Sequence, residues 1–520
     1  MDFSRKLPIG IQDFESLRKD NFLYVDKTAY VYRIANEGRP YFLGRPRRFG
    51  KSLFLSTLKA YFQGKKELFE GLAIAGLEKD WVEYPVFHLD LNISSYTKFV
   101  DLENALEALL SRIEDVWGAN ASEKSFSTRL EGLMHRAYEK TGKRVVILID
   151  EYDKPLTSTL DKPELHEQIR EALSGFYGVL KTADQYLRFL LLTGITKFSK
   201  VSIFSQLNQL QDISMNEKFA GVCGISQSEL IDNFEPEIRI LAEKHTMSYE
   251  ETLAELKKRY DGYHFCENTE GMYNPFSLLN TFANNALRYY WFSTGTPTFL
   301  VKMLKDANFD IPNLENEVTI AAPSIADYRV GDTNPLPLLY QTGYLTIREL
   351  DQLFNEYRLG FPNEEVKYGF LNELQLIYSP QTNFNSDFSV PNFVRDLMAA
   401  NVDGFMNRLR AFFASIPNDL SNKSEKDYQT VFYLLLKLMG QFVQTEVKSA
   451  VGRSDAVVWL KDTVYVFEFK LSEKATAEEA LQQIDDKGYL IPYSAGERKI
   501  VKIGAEFSRT ERTLNRWLCS

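Results

Sequence analysis

Gly50-Lys51-Ser52 stands between an apolar run and a helical pattern, an order suited to binding a phosphate chain. The apolar run Tyr41–Leu43 leads into a turn rich in Gly and Pro, and helical spacing of apolar residues begins at Leu53. In such a loop the helix N–H groups face an anion, the lysine reaches the β and γ phosphates, and the serine hydroxyl ligates Mg²⁺. We therefore predict a nucleotide site. The predicted nucleotide contacts are Arg47, Arg48, Phe49, Gly50, Lys51 and Ser52, with Ser52 also a metal ligand.

The loop Gly44–Ser52, called the phosphate loop below, departs from the common pattern G-x-x-x-x-G-K-[ST]. That pattern has a glycine where this chain has Arg45, and the nearest glycine, Gly44, comes one residue early. On the Gly-Lys-Ser triplet alone, an ordinary basic turn before a core helix explains the sequence about equally well. A second element is needed to decide.

A strand that ends in two carboxylates supplies the second element. The apolar run Val145–Ile149 is typical of a strand buried on both faces of a parallel sheet. Asp150 and Glu151 follow at its carboxyl end, where open α/β sheets bind their ligands. We predict that Asp150 binds Mg²⁺ and that Glu151 orients and deprotonates the attacking water. A plain strand that runs into a polar loop is the alternative, but the phosphate loop about a hundred residues earlier favours the nucleotide site.

Another apolar strand, Leu187–Leu192, ends at Thr193. In nucleotide-hydrolysing sheets a polar residue at this place senses the γ-phosphate, so Thr193 is predicted to contact the nucleotide. Thr196 is an alternative, and a threonine that only caps the strand explains the pattern equally well.

Length and composition indicate a soluble globular protein of about three domains, because 44% of its 520 residues are hydrophobic and 25% are charged. The N-terminus lacks an apolar signal segment, and no stretch approaches the roughly eighteen apolar residues of a membrane span. We expect a cytoplasmic protein without membrane contact. The net charge of −10 argues against a chain that coats nucleic acid, and three separated cysteines argue against structural zinc.

Three N-terminal segments resemble a known family. Leu7–Phe14, Tyr24–Thr28 and Arg45–Ser52 together resemble the AAA-ATPase-like family of many bacterial genomes, a relative of the STAND and archaeal ATPases. Arg-Arg-Phe-Gly-Lys-Ser is a customary form of the loop in that family, which accounts for Arg45. The resemblance implies ATP and Mg²⁺ as cofactors. Such sites often need an arginine from elsewhere, so a homo-oligomer and a partner protein both remain open. Further segments similar to the family are 198–208, 260–265 and 273–277.

The middle of the chain has mainly helical patterns. A helix is predicted to begin after an N-cap at Ser226 or Ser228. The segment from Pro335 to Ile347 suggests a helix that leads to a short strand, as in a winged-helix unit. Further helices are predicted over 394–413 and 428–439.

Beyond Gly440 the pattern changes to short strands, in which two carboxylates and a lysine can meet. The predicted strands are 442–447, 455–460 and 464–470, the last two joined as a hairpin. Because side chains alternate along a strand, Glu468 and Lys470 share one face, and Asp455 on the partner strand can approach Glu468. Two carboxylates that hold a divalent ion beside a lysine suit phosphodiester hydrolysis. An exposed Glu-x-Lys pair is the alternative, although the neighbouring residues are unusually apolar.

Gly452–Asp455, Val466–Leu471 and Ala480–Ile484 together resemble the PD-(D/E)XK nuclease superfamily, in the branch commonly fused to the ATPase above. The resemblance implies that Asp455 and Glu468 bind metal and that Lys470 is catalytic. It also implies a helper from Gln482 or Gln483, of which Gln483 is our choice. Ser454 replaces the proline of the motif's name. A further acid is expected from Glu425 or Glu446.

We therefore predict an α/β protein with a P-loop NTPase parallel sheet, a mostly helical middle region and a C-terminal α/β PD-(D/E)XK nuclease-like domain. The predicted domains are 1–225, 226–400 and 401–520. The predicted function is ATP hydrolysis coupled to a metal-dependent DNase-like domain, with DNA as a candidate partner. The alternative is a nucleotide-gated binding or scaffold protein whose nuclease fold is catalytically silent.

Overall fold

The computed structural model divides the chain into two compact units. They are residues 1–309 with 316–366, the N-terminal unit, and residues 310–315 with 367–520, the C-terminal unit. The residues that the structure describes are 5–38, 40–197, 210–294, 300, 303–304, 309, 314, 318–326, 334–378, 389–414, 425–440, 444–447, 455–493, 498–508, 510–511 and 513–520. The predicted features at 198–208, 442–443 and 452–454, Ser454 included, lie outside them.

The N-terminal unit is built on a parallel five-stranded sheet of order β2-β3-β4-β1-β5. Its strands are β1 Tyr41–Gly44, β2 Val86–Asp90, β3 Val145–Asp150, β4 Leu187–Gly194 and β5 Gln211–Asp212. Every residue of β3 is buried, which confirms the prediction of a strand covered on both faces. Strand β4 pairs with β1 on one side and with β3 on the other. The sheet therefore brings the phosphate loop, Thr193 and Asp150 to the same edge.

Helices flank this sheet and set the geometry of the loop. They are Phe14–Lys19, Thr28–Glu37, Lys51–Phe62, Ile74–Leu77, Phe99–Trp117, Phe126–Thr141, Lys154–Thr157 and Pro163–Thr182. The helix that begins at Lys51 buries Phe54, Leu55 and Leu58, as its apolar spacing predicts. Gly50 precedes it with a φ of 96°, a left-handed conformation that favours glycine.

The rest of the N-terminal unit combines helices with a small sheet. The helices are Gln227–His245, Tyr249–Tyr260, Pro275–Asn284, Ala322–Ile325, Leu336–Gln341 and the first three residues of Glu364–Tyr378. Ser226 is the N-cap of the first of these, because its side chain accepts a hydrogen bond from the Glu229 N–H. Strands β6 Val318–Ala321, β7 Thr346–Asp351 and β8 Glu356–Gly360 form an antiparallel sheet of order β6-β8-β7. The predicted helix and strand after Pro335 are thus confirmed.

The C-terminal unit contains a mixed sheet of order β13-β12-β11-β10-β9. Its strands are β9 Gln444–Val447, β10 Ala456–Trp459, β11 Thr463–Leu471, β12 Lys499–Ser508 and β13 Thr513–Cys519. Its helices are Val390–Met398, Val402–Ala414, Glu425–Met439 and Ala477–Asp486. The β10–β11 pair is antiparallel, which confirms the predicted hairpin. Helix Ala477–Asp486 covers one face of the sheet, where Ile484 packs with Val457 and Val466.

One predicted helix is wrong. The sequence pattern extends one helix over 394–413, whereas the structure ends a helix at Met398 and begins another at Val402. Ala400 adopts a φ of 53°, which stops the first helix. The Asn401 side chain then accepts a hydrogen bond from the Gly404 N–H at 2.9 Å and caps the second.

Within the described part of the chain, no helix has both the length and the apolar character that crossing a membrane requires.

Candidate functional sites

Lys51 lies at the centre of the first site. Its side chain is only 4% exposed, and its Nζ donates hydrogen bonds to the carbonyl oxygens of Arg45 at 3.0 Å and Pro46 at 3.2 Å. The same nitrogen lies 3.7 Å from Oε1 of Glu151. The structure therefore brings the phosphate loop and the acidic end of β3 into one site, as the sequence predicts.

Asp150 and Thr193 are directly bonded at the ends of neighbouring strands. The Thr193 hydroxyl donates to Oδ1 of Asp150, and the N–H of Glu151 donates to the same oxygen at 3.1 Å. Asp150 is buried, while Ser52 is partly exposed in the first turn of the helix after the loop. These bonds fix the orientation of the Asp150 carboxylate beneath the loop.

The turn after β3 is tied to the end of β4. Glu151 adopts a φ of 51°, which is uncommon for a residue with a side chain and is found mainly where surrounding contacts impose it. Here the Tyr152 N–H donates to the Thr193 carbonyl at 3.0 Å, and the Tyr152 hydroxyl donates to the Thr196 carbonyl at 2.8 Å. The backbone at Glu151 is consequently held between two anchored residues.

Asp153 is a site residue that the sequence analysis missed. It is buried, and one carboxylate oxygen accepts the N–H groups of Ile195 at 3.0 Å and Thr196 at 2.7 Å. Burial, followed by the charge of Glu151, raises the pKa of Asp153 to about 7. The clue in the sequence was that Asp153 follows Glu151 by two residues.

Asp90 is a second missed carboxylate. It ends β2 and lies beside Asp150 in the parallel register. Burial is the main cause that raises its pKa, and the charges of Asp150 and Glu151 add to it. Since the carboxyl ends of parallel strands meet at one edge, a strand ending in Asp was itself the signal.

The remaining predicted loop residues differ in their surroundings. Arg47 and Arg48 are exposed; the Arg47 carbonyl accepts a hydrogen bond from Trp291 Nε1 at 3.4 Å, and the Arg48 guanidinium lies 4.6 Å from the centre of the Phe276 ring. Phe49 is buried, and its carbonyl accepts the Gly224 N–H at 3.1 Å. Contacts from these residues to nucleotide stay predictions.

An apolar cavity of about 90 Å³ borders the phosphate loop at Gly50. Its lining includes the segment Leu23–Val25, Leu53 and Phe54 of the helix after the loop, and Ile225.

Lys470, Glu468 and Gln483 form the second site. Lys470 Nζ donates to Oε1 of Glu468 at 2.8 Å and to Oε1 of Gln483 at 2.6 Å. The amide nitrogen of Gln483 donates to the same Glu468 oxygen and lies 3.2 Å from the Tyr489 hydroxyl. Gln482 instead donates to Asp486 at 2.8 Å on the exposed side of the helix. The helix therefore presents Gln483, and not Gln482, to the predicted lysine and carboxylate.

Asp455 completes this site from the neighbouring strand. The pairing of Ala456 with Phe467 sets Asp455 level with Glu468, and one Asp455 oxygen accepts the Phe469 N–H at 2.8 Å. Burial, followed by the charge of Glu468, raises the pKa of Asp455 to about 7. The Asp455 carboxyl therefore lies beside a second carboxylate, in a place where it ionises reluctantly without a cation.

The donor set fits a divalent cation. Glu468 is 2% exposed, and its Oε2 has no hydrogen-bond partner among the described residues. Within the same residues, no three or more His, Cys, Asp and Glu side chains are grouped so that they could hold a metal ion. An ion bound by Asp455 and Glu468 would complete its coordination with water and substrate oxygens, as Mg²⁺ commonly does.

The two candidates for a further acid stay predictions. The backbone of Glu446 pairs with Val457 on β10. The side chains of Glu446 and Glu425 lie outside the described part of the structure.

Known proteins match the chain at both sites. The AAA-ATPase-like family, which is described as a predicted AAA-ATPase, matches residues 8–204. These residues contain the phosphate loop and strands β3 and β4. A protein of Azotobacter chroococcum mcd 1, described as an uncharacterized protein in the vnfD 5′ region, is 38% identical over 520 residues, and 98% of each chain is covered. The chain belongs to the AAA-ATPase-like family.

This AAA-ATPase-like protein also carries a nuclease-superfamily domain. The PD-(D/E)XK nuclease superfamily matches residues 423–517, which contain Asp455, Glu468, Lys470 and Gln483. Both resemblances and the predicted fold class are thus confirmed.

Proposed function

We propose that this AAA-ATPase-like protein binds and hydrolyses ATP at the N-terminal site and cleaves phosphodiester bonds of DNA at the C-terminal site, with Mg²⁺ at both. The observation that carries the nuclease half is the convergence of Lys470, Gln483 and Asp455 on Glu468, whose second oxygen has no hydrogen-bond partner among the residues that the structure describes. An exposed Glu-x-Lys pair would show neither this burial nor this network.

At the N-terminal site, Lys51 keeps its hydrogen bond to the Arg45 carbonyl and turns its other ammonium donors toward the β and γ phosphates of ATP. Ser52 and Asp150 would hold Mg²⁺, which neutralises phosphate charge when it is bound. Glu151 orients the attacking water and accepts its proton, a role that its distance of 3.7 Å from Lys51 supports. Thr193 keeps Asp150 in place through its hydroxyl.

At the C-terminal site, Asp455 and Glu468 would hold the cation, which lowers the pKa of a water and offsets charge on the phosphate. Lys470 donates hydrogen bonds and, with its charge beside Glu468, positions the water or the phosphate oxygen. Gln483 holds both Lys470 and Glu468, so the lysine approaches substrate from a fixed direction.

The ATP half is tested with two substitutions. Lys51→Ala should abolish ATP binding in a fluorescent-nucleotide titration, because it removes the cation that faces the phosphates. Glu151→Gln should bind ATP with Mg²⁺ and fail to release phosphate. The matched control is Lys66→Ala, which changes an exposed lysine shortly after the helix Lys51–Phe62. Unaltered ATP affinity in Lys51→Ala would refute the loop assignment.

The nuclease half is tested by titrating Mg²⁺ into purified protein with plasmid, single-stranded and branched DNA. Lys470→Ala should eliminate the Mg²⁺-dependent cleavage and leave ATP hydrolysis intact. Lys474→Ala, an exposed lysine in the following turn, is the control and should cleave normally. Absence of cleavage by the wild-type protein on all three substrates would favour the catalytically silent scaffold.

A further inference from the structure

Arg45 occupies the place of a glycine in the common loop pattern, yet it faces away from solvent. The residue is 1% exposed, and its Nη1 donates to the carbonyl oxygens of Gly44 at 2.9 Å and Ser214 at 2.7 Å. Its Nη2 donates to the Phe219 carbonyl at 3.0 Å, and the guanidinium carbon lies 4.0 Å from the centre of the Phe265 ring. Carbonyl dipoles and a ring face thus stabilise this buried charge.

The backbone of Arg45 connects the two halves of the nucleotide site. Its N–H donates to the carbonyl of Gly194, the last residue of β4, at 3.2 Å. Its own carbonyl accepts the hydrogen bond from Lys51 Nζ at 3.0 Å. A shift of Arg45 would therefore move the acceptor that orients the lysine.

The phosphate loop borders a cavity beside Arg45. A cavity of about 50 Å³ lies there, lined among others by Arg45, Pro46, Phe265 and Tyr340. Pro46 is also in close contact with Gly343, where an added Cβ would lie 2.7 Å from the Pro46 Cβ. Removal of the Arg45 side chain would enlarge the cavity and give the loop room to collapse into it.

Arg45 does not stand where a glycine conformation is needed. The positive φ angles of the loop fall on Arg48, at 68°, and on Gly50, at 96°. A side chain at position 45 is therefore free of backbone strain, and what it adds is support from beneath.

We propose that Arg45 is a positioning residue that supports the phosphate loop and orients Lys51. Its side chain joins the end of β1, the segment after β5 and the turn at Phe265 beneath the loop, and its carbonyl orients Lys51. The inference deepens the proposed ATP site and depends on it.

The test is a substitution that restores the common motif. Arg45→Gly should weaken ATP binding at least tenfold and AMP binding less than threefold, because Lys51, which the Arg45 carbonyl orients, reaches the β and γ phosphates, and AMP has neither. Arg45→Lys keeps the charge but loses the forked geometry, so an intermediate loss is expected. Arg112→Ala removes an exposed arginine and should leave both affinities unchanged. Isothermal titration with ATP and AMP measures these affinities.

The outcomes separate this inference from the proposed function. Absence of ATP binding by the wild-type protein would refute the ATP site itself. Wild-type binding that Arg45→Gly preserves or improves would overturn the role of Arg45 alone. If Arg45→Gly fails to fold, Phe265→Leu decides, because it removes the ring beneath the guanidinium and leaves the loop sequence intact. The proposal requires a selective loss of ATP over AMP in that variant, and an equal loss or no loss overturns it.

Discussion

Glu468→Gln should make the metal-free C-terminal unit more stable while it destroys the nuclease site. Glutamine preserves the volume of the side chain and one oxygen that accepts from Lys470 and Gln483. It removes the negative charge that faces Asp455. The substitution therefore separates the charge of the site from its packing.

The magnitude follows from the pKa of Asp455, which the site raises from 3.8 to about 7. The unfolded chain loses this proton near pH 4, whereas the folded unit keeps it to about pH 7, so stability falls as the pH rises through that window. At about 1.4 kcal/mol per pKa unit, the loss is about 4 kcal/mol. Burial is the larger cause of the raised pKa, and the substitution leaves it unchanged. Removing the negative charge of Glu468 should therefore restore only about 1 kcal/mol of the free energy of unfolding at pH 8. Asp455, once ionised, then serves as the counter-charge of Lys470.

The assay is amide hydrogen exchange in β11, which reports the opening of this unit separately from the rest of the chain. With EDTA at about pH 8, exchange should be slower in Glu468→Gln than in the wild type. Excess Mg²⁺ should slow exchange in the wild type by an amount equivalent to about 2.7 kcal/mol at a hundredfold the dissociation constant, and should leave the variant unchanged. Faster exchange in the metal-free variant, or retained Mg²⁺-dependent cleavage, would refute the reasoning.

Three further substitutions test the remaining contacts. Gln483→Ala should lower Mg²⁺-dependent cleavage at least about tenfold, while Gln482→Ala leaves it unchanged, because only Gln483 holds the lysine and the carboxylate. Glu365, buried in the N-terminal unit, has a pKa raised to about 7 by burial, although its carboxylate accepts the Trp291 N–H. The wild type should therefore lose stability as the pH rises from about 4.5 to 7, and Glu365→Gln should melt at a higher temperature than the wild type at about pH 8 but not at pH 5. Asp153→Ala should lower the ATP turnover number about tenfold at unchanged ATP affinity, since it frees the N–H groups that hold the end of β4; an equal change in affinity would contradict a positioning role.

Sequence patterns predicted the features that depend on neighbouring residues. The apolar run of β3 required burial on both faces, and alternation along β11 placed Glu468 and Lys470 on one side. The hairpin between β10 and β11 then set Asp455 level with Glu468. Each of these inferences needs only the period of a strand and the length of a turn.

Features that depend on distant contacts were not accessible in this way. An arginine in a Gly- and Pro-rich turn suggests solvent or phosphate, whereas Arg45 is buried by partners such as Ser214 and Phe219, which lie far along the chain. The choice of Gln483 over Gln482 came with the family resemblance and not from the apolar pattern, because it depends on how one helix rotates over the sheet. The break at Ala400 was missed because apolar spacing continues across it, and a single left-handed residue leaves no mark on that spacing.

Lys51 and Lys470 differ in the charged residues that surround them. Lys51 faces Glu151, and the carboxylates of Asp90, Asp150 and Asp153 lie at the same edge of the sheet. The exposed Arg47 and Arg48 on the phosphate loop provide the positive charge that can attract an anion. Lys470 is already paired with Glu468, and Asp455 adds a second carboxylate, so that site is left for a cation. Metal is therefore expected to reach the N-terminal site together with nucleotide phosphate, whereas the C-terminal site can take up Mg²⁺ before DNA arrives. Each lysine is paired with a glutamate, so the expected order of binding follows from the other charges nearby, which are two exposed arginines on the phosphate loop and the carboxyl of Asp455 at the C-terminal site.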